Sequence, residues 1–150
     1  MPVLIGVEVE GLRELLRVAS RLPKTAQNEL RQSAMLIATD EAASIRAAAA
    51  GSSPQSAAVV GSIRARRDRV PAVAAGGAGR SGVSGGATTG QLFFGAEFGG
   101  QGRPTTKQFR PHRGTSGYWF FPTLRRDQER MMKRWETALR AVEREWSGGV

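Results

Sequence analysis

The chain has no cysteine and only one histidine and one tyrosine in 150 residues. Without cysteine, neither a disulfide framework nor a thiolate metal site is possible. The lone histidine, His112, lies between Pro111 and Arg113. No carboxylate is near it in sequence, so a catalytic triad or a histidine-based metal site has little support. No run approaches the ~18–20 apolar residues of a membrane span. The start, Met1-Pro2-Val3-Leu4-Ile5-Gly6, has no basic segment leading into a long apolar run. The expectation is a soluble chain without a signal peptide, made in the cytoplasm.

Acidic residues are scarce where basic ones collect. Net charge is +9, and Glu97 is the only carboxylate between Asp68 and Asp127. Residues 1–50 carry six basic and six acidic side chains, residues 51–118 nine against two, and residues 119–150 seven against five. The excess thus sits in the middle segment, which is also glycine-rich. Such a region implies an acidic partner, either nucleic acid or an acidic protein surface. The plainer alternative is that the arginines only solvate loops.

Val3, Ile5, Val7 and Val9 alternate with their neighbours and read as a half-buried strand. Leu12, Leu15, Leu16, Ala19 and Leu22 then share one face of a short helix. After Pro23, helix formers dominate from Lys24 to Ala50, with Leu30, Ala34, Ile37, Ala38 and Ile45 as the apolar stripe and Gly51 as the stop. Asp40 and Glu41 on this helix are expected to be solvated. Val59 to Arg66 alternates as a strand, Arg67-Asp68-Arg69 is a turn, and Val70 to Ala75 is the return strand. Pro71 places that strand at an edge, or at its own start.

Gly76 to Gly90 is low in complexity and is expected to be mobile when unbound. The apolar run Gln91 to Phe98 is expected to re-enter the sheet. Gly99 to Gly117 forms a second long loop, expected to be mobile over 99–117. Two such loops in one small domain point to binding. From Pro122, the series Met132, Trp135, Leu139, Val142 and Trp146 has the 3-4-3-4 spacing of a helix packed on a neighbouring surface. The order β-α-α-β-β-β-α predicts one α+β domain spanning residues 1–150: a small antiparallel sheet packed by a long central helix and a C-terminal amphipathic helix.

Little in this chain reads as chemistry. Gly77-Ala78-Gly79-Arg80-Ser81-Gly82 matches the dinucleotide-binding glycine pattern, but Val83-Ser84-Gly85-Gly86 follows where a helix must start. No cofactor, metal or catalytic residue is expected, and the chain reads as a non-enzyme. Glu97 is a candidate ion-pair partner for an arginine, within the subunit or across an interface. The candidate contact residues are Arg64, Arg66, Arg67, Arg69, Glu97, Phe98, Arg103, Lys107, Arg110, Arg113, Trp119, Phe121 and Trp135. The arginines with Phe93, Phe94, Phe109 and Tyr118 also allow a second reading, a basic protein that binds nucleic acid without sequence preference.

A series of short motifs runs through the whole chain. Gly11-Leu12-Arg13-Glu14-Leu15 precedes the Ala-rich helix, followed by Gly61-Ser62-Ile63-Arg64, Glu97-Phe98-Gly99 and Phe121-Pro122-Thr123-Leu124. In this order the chain resembles the HK-97-like neck and minor tail-component family of long-tailed double-stranded DNA phages. The resemblance implies a structural virion protein at the head–tail junction. It would form a six- or twelve-fold ring around the DNA channel, with connector or stopper and tail-terminator or tail-tube proteins as partners. It implies no catalytic residues.

Overall fold

The computed structural model describes residues 12–100 and 108–147. The N-terminal strand expected over Val3–Val9 lies outside the described residues. Helix α1 is Leu12–Ser20, with Leu15, Leu16 and Ala19 turned inward as their spacing requires. The corner to the next helix is tied by Gln27, whose side-chain amide donates to the carbonyl oxygen of Leu22 at 2.9 Å. Pro23 sits at the N-cap of α2, Lys24–Ser52, and Gln27 N donates to its carbonyl oxygen. The helix runs through Gly51 and ends one residue later, within the ordinary fraying of a helix end.

The expected strand from Val59 to Arg66 shrinks to its last three residues. Ser53 and Ser56 form a reciprocal capping box, and Pro54 follows the cap, so Pro54–Ala58 becomes a short helix, α3. A 3-10 turn, Val60–Ser62, comes next. Only Arg64–Arg66 (β1) pairs with Ala72–Ala74 (β2), antiparallel, with Ala65 opposite Val73. Pro71 stands just before β2, where its missing N–H removes no ladder bond.

Residues 91–98, expected to re-enter the sheet, are helical instead. Thr88 accepts from Gln91 N, and the Gln91 side chain accepts from Thr88 N; this capping box starts α4, Thr89–Phe98. Leu92, Phe93, Ala96 and Glu97 are its buried residues, a helical face that period alone does not distinguish from a short buried strand. Helix α5 spans Phe120–Ser147 and crosses α2 along much of its length. The α+β class stands, with a two-stranded sheet and helices in the majority.

The loop from 76 to 90 folds back on itself. Gly90 N donates to Gly77 O, Thr89 N to Gly79 O and Ser81 N to Ala87 O. Gly76 has φ +79°, and a Cβ there would lie 2.9 Å from the Cα of Gly90. The pinch therefore needs glycine on both sides. The mobility expected of this loop concerns the free chain in solution.

The interior divides into two apolar clusters. One gathers Ala42, Ile45, Ala49, Val59, Ile63, Leu92, Phe93, Ala96, Trp119, Phe120 and Phe121. Phe93 meets Trp119 and Phe120 edge to face, at centroid distances of 5.6 and 5.4 Å. The other gathers Ala19, Leu30, Ala34, Ile37, Trp135 and Leu139. Each large apolar side chain fully buried in this way contributes about 1.5–3 kcal/mol.

Candidate functional site

Helix α5 has no acidic residue in its first turn. Its unpaired N-terminal amides, which carry the positive end of the helix dipole, need an acceptor from elsewhere. Glu97 on α4 supplies it. Its Oε2 accepts from Phe120 N at 2.7 Å and Trp119 N at 3.2 Å, and its Oε1 accepts from Phe121 N at 3.2 Å. Pro122 follows and has no N–H to satisfy. Glu97 is completely buried. Burial pushes its carboxyl above the usual range, against the pull of the backbone amides from Tyr118 to Phe121.

Glu97 therefore caps a helix instead of pairing with an arginine. Beside it, Gly117 adopts φ +75°, and a Cβ there would overlap the Glu97 carboxylate. Of the anticipated contact residues, Trp119, Phe121 and Trp135 are also buried within the single chain. They pack inside the chain and not on its surface. The Trp135 indole N–H donates to the carbonyl oxygen of Arg69 at 2.7 Å, fastening the turn after β1 to α5.

The cationic residues divide by what they already hold. Arg66 and Arg67 are exposed. Arg64 is exposed too, but one guanidinium nitrogen donates to the carbonyl oxygens of Ser62 and Gly76. Arg69 is half-buried. Arg110 lies 3.8 Å from the centroid of the Tyr118 ring and Arg113 4.7 Å, both stacked over it. Arg110 also donates to the hydroxyl of Ser52 at 2.8 Å, and the Tyr118 hydroxyl donates to Pro111 O at 2.6 Å. Arg103 and Lys107 lie outside the described residues.

Next to this stack an open groove of about 420 Å³ is lined by Phe94, Gly95, Phe98, Gly99, His112, Gly114 and Thr115. Phe94, 42% exposed, stacks on the half-buried Phe98, which stacks on Phe121. Three near-parallel rings thus step from the surface down to the first turn of α5. Gly114 N donates to His112 Nδ1 at 3.2 Å, so that nitrogen acts as an acceptor.

The sequence reading missed one site. Glu41 is buried, whereas its neighbour Asp40 is exposed and pairs with Arg134 at 3.0 Å. Across the α2–α5 contact, Glu41 is hydrogen-bonded to Asp127, which is also buried. Arg126 grips Asp127 through both carboxylate oxygens, at 2.9 and 3.0 Å, and Arg130 approaches at 3.5 Å. Burial first, then the Asp127 charge, pushes Glu41 up to about 7, while the Arg126 hydrogen bond holds Asp127 below its usual value. Glu41 is therefore the proton donor, and its Oε1 has no partner. The pair falls in sequence between the two apolar clusters on both helices. The available signal was position: Glu41 is four residues after Ile37 and four before Ile45, and Asp127 is three after Leu124.

Among the described residues no group of three or more histidine or acidic side chains is placed to hold a metal ion, and no helix is long and apolar enough to cross a membrane. No protein-family model, no curated protein and no solved structure matches this chain.

Proposed function

We propose that this chain is a non-catalytic structural protein of the phage head–tail junction, a neck or tail-completion component. It assembles as a six- or twelve-fold ring between the connector complex and the tail tube, around the DNA channel. The observation that carries this reading is a basic stretch of sequence whose one acid is buried. From residue 69 to 126 the sequence holds eight basic side chains and one carboxylate, Glu97, and that carboxylate is buried against α5. Such a stretch favours docking onto acidic protein surfaces and steers the encounter. The order of motifs described above supplies the particular setting.

The test is sizing of the purified chain alone and together with connector and tail-tube proteins, followed by imaging of any assembly. Ring-shaped species are expected, formed either by the chain alone or on the connector. A chain that stays monomeric and binds neither partner would refute the proposal.

One observation favours a second reading. The Arg110–Tyr118–Arg113 stack joins two cations to an aromatic ring, a combination suited to phosphates and bases. That reading requires retention on DNA at ~50 mM salt that falls steeply as salt rises.

A further inference from the structure

Four large apolar side chains are exposed among the described residues: Leu36, Val83, Phe94 and Trp146. Phe94 and Trp146 sit at opposite ends of α5. Phe94 is linked through Phe98 to Phe121 in the first turn of α5, and Trp146 is in the last. The helix has 28 residues. At a rise of 1.5 Å per residue its ends are about 40 Å apart. These two places cannot meet within one copy.

They differ in charge. The groove has His112 on its lining, and Arg113 lies beside it on the Tyr118 ring. Arg110 stacks on the same ring, so two cations stand beside the groove. The helix end carrying Trp146 has the other sign. Residues 135–147 contain Glu136, Glu143 and Glu145 against Arg140 and Arg144, a net of −1, and Arg140 is held by Glu143 at 3.0 Å. Glu29 of α2 adds a further negative charge beside Trp146. Its carboxylate already accepts the indole N–H at 3.4 Å. The ring can enter an apolar groove with its one polar group satisfied, so docking leaves no unpaired donor.

We infer that Trp146 of one copy seats in the Phe94–Phe98 groove of the next, with Glu145 turned towards Arg113. This deepens the ring reading above and rests on it. The contact joins two different patches, so it is head-to-tail: it closes a ring when the rotation between copies permits and extends a filament when it does not. A buried tryptophan in an aromatic groove is also the kind of anchor that dominates interface energy.

The test uses the full chain in sedimentation velocity from micromolar to about 1 mM, the latter corresponding to the weakest self-association of interest. Wild type is expected to associate with rising concentration. Phe94→Glu and Trp146→Glu should each weaken association at least ~100-fold, as loss of a hot-spot anchor does. The equimolar mixture of the two variants should form a dimer and nothing larger, because it retains one intact groove and one intact tryptophan. Circular dichroism checks that the variants are folded, and Phe94→Ser with Trp146→Ser repeats the test without added charge.

Variants that associate as wild type does, or a mixture that stays monomeric, overturn the contact. So does a wild-type chain that is monomeric at every concentration. Rings that persist in the variants, or that form only on the connector, overturn this contact while leaving the ring reading intact. Absence of rings in both settings removes the two together.

Discussion

Glu97 and Glu41 are both buried glutamates in contact with α5, yet their surroundings are opposite. Glu97 meets the N-terminal amides of the helix, and each of its oxygens accepts at least one hydrogen bond. Glu41 meets another carboxylate seven residues further along, and one of its oxygens is left without a partner. The first arrangement completes a helix end that the local sequence leaves uncapped. The second sets two carboxyl groups against each other where α2 and α5 cross. Burial alone therefore does not decide what a carboxyl group does; the donors and charges it faces decide that.

Removing Glu97 should have the largest effect. Glu97→Ala leaves several buried amides without an acceptor, each costing about 1–3 kcal/mol. The expected loss is about 3 kcal/mol or more, read as a shift in the urea unfolding midpoint. Gly117→Ala should approach that loss, because its Cβ and the Glu97 carboxylate compete for one space. A loss under about 1 kcal/mol for Glu97→Ala would show that the cap is not what holds the start of α5.

The next effect is one of pH. Glu41 is raised from 4.5 to about 7, so the folded state binds its proton more tightly than the unfolded chain does. Its stabilisation is complete below about 4.5 and is lost as pH rises through 7. Stability should fall between pH 5 and pH 8 by on the order of 2–3 kcal/mol. Glu97 is shifted in the same direction and adds to the slope. Asp127 is shifted downward, so its contribution is lost only as pH falls below its ordinary value of 3.8. Glu41→Gln keeps a donor towards Asp127 and does not titrate. That variant should lose most of the slope and exceed wild type in stability at pH 8. An unchanged slope would mean that the pair does not share a proton.

Two smaller effects set the scale. Trp135→Phe keeps most of the ring in the core but removes the donor to Arg69 O, for an expected loss of about 1–2 kcal/mol in thermal or urea unfolding. Asp40→Ala removes an ion pair with Arg134 whose side chains are 67% and 45% exposed. It should change stability by no more than about 0.5 kcal/mol, one residue away from the buried Glu41. A larger loss would show that the ion pair couples to the buried acids.

Much of the fold was legible in order and period. The helix after Pro23, the apolar stripe through Trp135 and Leu139 and a strand that begins just after Pro71 all follow from local rules. Residues 91–98 were misread because an apolar run of eight fits a strand or a helix, and the capping box at Thr88 and Gln91 decided for the helix. The strand at 59–66 was overextended because Ser53-Pro54 starts a helical turn that uses up residues 54–58. The site was less legible. Glu97 was singled out with the wrong partner, because an acid in a basic stretch suggests arginine and the α5 amides are more than twenty residues away. Glu41 reads as solvated by residue type, yet it falls on the buried face of its helix.

The charge distribution, the absence of thiol chemistry and the two long amphipathic helices follow from composition and from neighbours three or four residues apart. Only the tertiary structure decided which acids are buried and what they face. It also decided that Trp119, Phe121 and Trp135 turn inward and that Phe94 and Trp146 remain outside. Those outcomes depend on where separate helices cross, and a carboxyl group's protonation and a ring's exposure follow from the atoms brought near it by that crossing.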